Sequence, residues 1–240
     1  MTKRPNSAGA GEPGTGEPLQ PTREAPPISA VLFDFDGTLT DSEWLHHESW
    51  LEAVAPWGVT VSWDDYERLL VGLSDTRAAE FFLDLAGAER RPETIHEGRA
   101  RKHAAYRRRS VRELSIDPLV KAWIERHWQT TPLGVVSSSA VPDVVPILER
   151  QGVSAYMRFV ICGEHVARLK PDPMPYKLAM EKLAVGWGIH DPRECLVFED
   201  SETGLRAARG AGMTVEQVSS PRDLLGLLMR WTPRVRSTLG

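Results

Sequence analysis

Two carboxylates one residue apart, Asp34 and Asp36, close an apolar run, Ala30-Val31-Leu32-Phe33, and run directly into Gly37. A short apolar run with charge only at its C-terminal edge has the pattern of a central parallel strand, and the mouth of such a strand is where open α/β sheets bind ligands. If the extended geometry persists past Asp34, both side chains project to one side and can share one cation or one phosphoryl group. Asp-Gly-Thr is also ordinary turn chemistry, so the assignment depends on partners elsewhere in the chain. Leu133-Gly134-Val135-Val136 is a second buried strand that ends in Ser137, Ser138 and Ser139. Those hydroxyls, with backbone N–H groups of the turn into a helix near Val141, form an anion-binding device. Lys170 precedes Pro171, which keeps it extended and out of a helix starting near Met174. Its ammonium suits the neutralisation of a phosphoryl oxygen together with the Asp34 carboxylate. Cys195-Leu196-Val197-Phe198 ends in Glu199 and Asp200. Adjacent acids after a buried strand are costly to hold together without a cation, and Mg²⁺, which prefers hard oxygen ligands, meets that need. Asp200 is the expected direct ligand, with Glu199 a second ligand or a supporting group.

The elements that must position these groups follow from the rest of the chain. The 240 residues, 41% apolar and 26% charged, suffice for one sizeable core and a small accessory domain. A net charge of −4 gives no general attraction to nucleic acid or to a membrane surface. Cys162 and Cys195 both lie in apolar strand-like runs, where a thiol is a small buried hydrophobe, a usage that suits a reducing cytoplasm. The first 27 residues hold six prolines and no apolar run, which predicts a disordered tail and no signal peptide. No stretch approaches the roughly 18 apolar residues a membrane span requires. From Trp44 to about Arg112 the pattern is helical throughout, with Ser62 an N-cap and Pro56-Trp57-Gly58 a stop. Arg99 to Arg112 carries seven Lys and Arg side chains, read as a solvated helix face rather than a nucleic-acid surface, with Lys102 or an arginine able to reach a substrate phosphate. Further apolar runs at Phe159–Cys162 and Thr214–Val218 read as strands, and 223–231 as a closing helix.

Asp-Phe-Asp-Gly-Thr-Leu-Thr-Asp, then an apolar strand ending in Ser137, then Lys170-Pro171-Asp172-Pro173, then Glu199-Asp200, resembles the four ordered motifs of the haloacid dehalogenase (HAD) superfamily over roughly residues 29–218. The similarity is to its β-phosphoglucomutase-like branch, subfamily I with a helical cap. The resemblance implies an α/β fold: a Rossmann-like parallel-sheet core, in three α/β/α layers, with an inserted all-helical cap domain. The expected layout is a Pro/Gly-rich tail over 1–28, a core over 29–43 and 113–240, and a cap over 44–112. By the same resemblance Asp34 is a nucleophile and Asp36 a general acid/base, with Ser137 and Lys170 completing the catalytic set. Asp34, the backbone carbonyl of Asp36, Asp200 and Glu199 would form the Mg²⁺ site. His46, Gly72, Ser74, Lys102 and Ser138 are the expected substrate contacts. Asp75 stands where sugar-phosphate mutases of the branch carry an arginine for the non-reacting phosphate.

The expected activity is hydrolysis of a small phosphomonoester, a sugar phosphate or similar metabolite, through an aspartyl-phosphate; the alternative is a β-phosphoglucomutase-like phosphomutase. The expected protein is a cytoplasmic monomer that engages a small phosphorylated metabolite, no nucleic acid and no membrane.

Overall fold

The structure is a computed structural model that describes residues 27–235; the expected tail, up to residue 26, lies outside the described residues. Five parallel strands form one sheet in the order β3-β2-β1-β4-β5: β1 Ala30–Phe33, β2 Leu133–Val136, β3 Phe159–Ile161, β4 Cys195–Glu199 and β5 Thr214–Gln217. The chain winds from β1 outward through β2 to β3, then crosses back to β4 on the other side of β1. The order therefore reverses at β1, and the crevice at its C-terminal end is flanked by β2 and β4.

Strand alternation divides the interior in two. Val31, Phe33, Leu133, Val135, Leu196 and Phe198 face one core, which also takes Trp123, Ile147 and Leu228 from helices. Ala30, Leu32, Val136, Cys195 and Val197 face the other, against Tyr176, Ala179, Leu183 and Ala207. Both faces of β1 are covered, so its four residues are all fully buried, as the unbroken apolar run predicts. Ile28 is also buried and bridges to Val235, so ordered packing starts before β1.

Five helices lie between β1 and β2: α1 Glu43–Val54, α2 Trp63–Leu69, α3 Asp75–Leu85, α4 Pro92–Glu113 and α5 Pro118–His127. Part of this insert has its own core, built on Trp50, Val54, Tyr66, Ala79 and Phe82. α1 leaves the sheet with Leu45 in the first core and reaches Trp50 in the insert; α4 returns, bringing Tyr106 back to the sheet side. Ser62 caps α2 by accepting from the Asp65 N–H, as expected. The remaining helices are α6 Val141–Arg150, α7 Met174–Trp187, α8 Glu202–Gly210 and α9 Leu224–Trp231.

The basic α4 differs from its sequence reading. Gly98, Lys102, Ala105, Tyr106 and Ser110 are buried in a stripe against α1, α3 and α6, so only part of the helix is a solvated face. The arginines mask this stripe in the sequence because acids from other elements meet them: Arg107 pairs with Asp143, Arg108 with Glu52 and Arg109 with Glu48. No helix among the described residues is long and apolar enough to cross a membrane, and both cysteines are free and buried.

Candidate active site

Asp34 leaves β1 with its backbone N–H still donating to Phe198 O at 2.9 Å, so its carboxylate is fixed at the mouth between β1 and β4. The chain then bends at Phe35, and Leu39 and Thr40 N–H both close onto Phe35 O. That bend ends the extended run, and Asp34 and Asp36 accept from different side-chain donors. Gly37 takes φ +75°, and a Cβ there would lie 2.2 Å from Asp200 Oδ2. Glycine is thus required twice over, by backbone sign and by the approach of the carboxylate. Thr38 Oγ1 in the same loop donates to Asp200 Oδ1 at 3.0 Å.

Lys170 reaches this mouth from before α7; the Lys170–Pro171 peptide is cis. Its Nζ donates to Asp34 Oδ1 at 2.5 Å and to Glu199 Oε2 at 2.6 Å. Glu199 is completed by Tyr176 Oη at 2.8 Å and Ser201 Oγ at 2.8 Å, and Gly204 leaves room for its carboxyl where a Cβ would lie 2.0 Å away. Burial, then the charge of Glu199, pushes the Asp34 carboxyl well above its usual range. Burial works against the Lys170 ammonium too, but Asp34 and Glu199 outweigh it and hold its pKa up. Asp200 is raised to about 7 by burial and by Glu199. Three acids therefore crowd one ammonium, with a ligand oxygen from each of Asp34, Glu199 and Asp200 within 4.8 Å of the others. An all-oxygen, over-negative set of this kind fits a hard divalent cation. Both Glu199 oxygens are already engaged by the chain's own donors, whereas Asp34 and Asp200 each accept from one side-chain donor among the described residues.

On the other flank, Ser137 is buried at the end of β2 and its Oγ accepts from the Ser139 N–H at 2.9 Å, leaving its own proton to donate. Ser138 is exposed. At the helix start that follows the expected anion-binding turn, the Val141 N–H donates to the Glu164 carboxylate at 3.0 Å: an acid of the chain has taken the start of α6.

Asp36 turns toward the insert. It accepts from Ser42 Oγ at 2.7 Å, Ser139 Oγ at 2.6 Å, His46 Nε2 at 3.2 Å and Tyr106 Oη at 3.5 Å. His46 stacks on Tyr106 with centroids 4.4 Å apart. Burial alone would raise the Asp36 carboxyl, but hydrogen bonds and charge from His46, then bonds from Ser139 and Ser42, bring it down to about 2. Its side-chain donors are thus different from those of the acid cluster at Lys170. Ser42, Tyr106, Tyr176 and Thr38 were not assigned a role from sequence, and Ser139, expected among the anion donors, donates instead to Asp36; Tyr106 could have been found, one helical turn after Lys102.

The other expected substrate contacts lie in the helical insert with partners of their own. Ser74 is the N-cap of α3, its Oγ accepting from the Arg77 N–H, and Gly72 is an exposed turn residue with φ +81°. Lys102 is buried and bonded to both Asp75 oxygens, at 2.9 and 3.1 Å. His103 beside it has Nε2 3.0 Å from Asp75 and Nδ1 3.0 Å from Asp143, joining α3 to α6. Carboxylates only accept, so both ring nitrogens carry protons and the ring is a cation. Its pKa is raised by the bonds to Asp143 and Asp75. A folded-state pKa above the unfolded value of about 6.5 gives stability that is complete below that pH and lost as pH rises through the raised value. The melting-temperature advantage of wild type over His103→Gln is therefore expected to shrink as pH rises from about 6 into the alkaline range. A gap that stays constant over that range contradicts the bridging imidazolium.

A family profile described as "Haloacid dehalogenase-like hydrolase" matches residues 31–218. Fructose-1-phosphate phosphatase YqaB of Escherichia coli (strain K12) is 29% identical over 191 residues, 79% of this chain and 96% of that protein. Beta-phosphoglucomutase of Bacillus subtilis (strain 168) is 27% identical over 217 residues, 85% of this chain and 90% of that protein. A crystal structure of a CbbY variant from Rhodobacter sphaeroides in complex with xylulose-(1,5)bisphosphate is similar at TM-score 0.67 and 27% identity, over 80% of this chain and 87% of that one.

Proposed function

The chain belongs to the haloacid dehalogenase-like hydrolase family, and from that membership we propose a Mg²⁺-dependent phosphatase that hydrolyses a sugar phosphate or similar small phosphomonoester through an aspartyl-phosphate. The observation that carries this reading is the Lys170 ammonium held between Asp34 and Glu199 at 2.5 and 2.6 Å, at the crevice where β1 meets its neighbours. A carboxylate fixed at a strand mouth, with a cation on it and a serine donor across from it, is equipped to take a phosphoryl group.

In the first step an Asp34 oxygen forms a bond to phosphorus as the bond from phosphorus to the substrate's alcohol oxygen breaks. The proton that leaves with the alcohol passes through Asp36, whose two oxygens His46 and Ser139 orient; its carboxylate, held down to about 2 in the free site, first takes that proton from the bound phosphomonoester. Ser137 Oγ and Lys170 hold the equatorial oxygens against the charge of the loose transition state. In the second step water attacks phosphorus, Asp36 takes the water's proton, and the Asp34 carboxylate is released. Asp34, Asp200 and the backbone carbonyl of Asp36 are the groups that would hold Mg²⁺, with Glu199 joining only by releasing one of its present donors. When bound, the ion supplies neutralisation of the phosphoryl oxygens and of the acid cluster. Glu199 otherwise works through Lys170, which it positions.

The helices of residues 44–112 act as a cap that keeps bulk water from the phosphorylated enzyme and supplies contacts to the alcohol portion. Mutase chemistry needs a grip on a second phosphate, and Asp75 at Lys102 disfavours one. The buried free thiols of Cys162 and Cys195 accord with a cytoplasmic location.

Phosphate release from a panel of sugar phosphates is expected with Mg²⁺ and not with excess EDTA. Isomerisation of β-glucose 1-phosphate in the presence of a trace of the bisphosphate, without phosphate release, would reverse the order of phosphatase and mutase.

A further inference from the structure

We propose that Asp143 is a positioning residue for the reaction: through His103 and Arg107 it fixes the turn of α4 that carries Tyr106 against the start of α6, and so sets where the donors to Asp36 stand. This rests on the phosphatase reading, in which Asp36 serves the alcohol.

Asp36 is held from two sides of a seam. Ser42 and His46 at α1 and Tyr106 on α4 address its Oδ1, while Ser139, in the loop before α6, addresses Oδ2. The Ser139 side is anchored within the core, because Ser139 O accepts from the Gly163 N–H at 2.9 Å and the Val141 N–H donates to Glu164 at 3.0 Å. The helical side needs a tie of its own to that loop. Asp143 supplies it. It lies in the first turn of α6, its backbone N–H donating to Ala140 O at 2.9 Å. An acid in a first turn is ordinarily explained by the partial positive charge of the helix start. Here both carboxylate oxygens cross to α4: Oδ1 accepts from Arg107 Nε at 2.6 Å and Oδ2 from His103 Nδ1 at 3.0 Å.

His103 and Arg107 are one turn apart, so two bonds to one carboxylate hold both the height and the roll of α4, and Tyr106 lies inside that turn. Tyr106 also stacks on His46, so a displacement of α4 disturbs two donors to Asp36 together. The Asp143 side chain is only 5% exposed, and burial alone would raise its carboxyl; the bonds from His103 and Arg107 bring it below the ordinary range. It is therefore ionised, with both oxygens able to accept.

One of the two ties titrates. The charged groups that face the His103 ring are Asp75 from α3, Asp143 from α6, and Lys102 and Arg107 of α4 itself, with Glu43 of α1 acting on Lys102. The ring serves both acids only as the imidazolium. With one proton left it can donate to only one of Asp75 and Asp143, so the tie to α6 is shared and weakened.

The test is kcat and KM of the full chain with Mg²⁺ on the best substrate of a sugar-phosphate panel that includes fructose 1-phosphate. Near pH 6, Asp143→Asn is expected to lower kcat about tenfold and leave KM within about twofold, since an error on the order of 1 Å in placement costs up to about 10²-fold. His103→Gln is expected to lower kcat about threefold, and the double variant no further than Asp143→Asn alone, because both act through one carboxylate. The ratio of wild-type to His103→Gln kcat is expected to fall toward one as pH rises from about 6 into the alkaline range. Should Asp143→Asn not fold, Arg107→Gln, at a half-exposed side chain, carries the same expectation at about a threefold loss of kcat. A kcat within about twofold of wild type in the folded variants, a loss carried by KM alone, additive losses in the double variant, or a wild-type to His103→Gln ratio that ignores pH overturns the inference while the phosphatase reading stands. No phosphate release by wild type from any member of the panel overturns that reading and the inference with it.

Discussion

Asp34→Asn is expected to lower phosphate release by roughly 10⁴-fold or more while leaving the protein as stable as wild type or more so. The two halves of this expectation come from the same geometry. Asparagine keeps the shape of the side chain but cannot form the acyl phosphate, so the step that divides the hydrolysis in two is lost. Binding and the remaining donors sustain only a residual rate. Stability moves the other way, because Asp34 is one of three acids around one ammonium and its carboxyl is already pushed up by burial and by Glu199. Removing one negative charge relieves that crowding without opening a cavity. Phosphate release and thermal melting in EDTA, measured on the same preparation, check both. Turnover above about a hundredth of wild type would remove Asp34 from the nucleophile's place. A large loss of melting temperature would show that its role is mainly structural.

The parts of this site that lie on strands were legible in the sequence, and those that depend on a turn or on a distant partner were not. β1, β2 and β4 are apolar runs ended by a polar group, and parallel strands side by side bring those ends to one edge, so Asp34, Ser137 and Asp200 were placed by pattern alone. The partners of Asp36 were not legible, because the bend at Phe35 ends the extended run on which strand alternation depends. Ser139 and Tyr106 both donate to Asp36 across long stretches of chain, a pairing that no local pattern carries. That Lys102 is paired does not show in its local sequence, since its acid lies 27 residues earlier, at the start of α3. The same holds for Arg107 and Asp143, 36 residues apart. Periodicity reports which face of a helix is apolar. It does not report which cation on that face has met an acid from elsewhere, and the α4 lysine and arginines are where that difference mattered.

Lys170→Met is expected to be the most destabilising single change at the site, costing about 3–5 kcal/mol in the absence of metal, and to reduce turnover by at least about 10²-fold. Lys170, Asp34 and Glu199 are almost fully buried, with side chains 4%, 8% and 1% exposed, so solvent screens their interaction little. Methionine fills nearly the same volume, which excludes a cavity as the cause of the loss. What remains is two carboxylates facing a vacated cation position. Such a pair escapes the penalty only by taking up a proton, and the Asp34 carboxyl, already pushed up by burial and by Glu199, then rises further once the ammonium that lowers it is gone. Stability from groups raised in this way is complete at low pH and lost as pH rises through the folded values, so the deficit against wild type is expected to be smaller near pH 5 than near pH 8. Added Mg²⁺ is expected to restore part of it at the higher pH, since a ligand that binds the folded state alone stabilises that state. Urea unfolding at the two pH values, with EDTA and then with Mg²⁺, measures all three effects. A deficit below about 1 kcal/mol, or one equal at both pH values, would mean that the Lys170 charge is not what holds Asp34 and Glu199 in place.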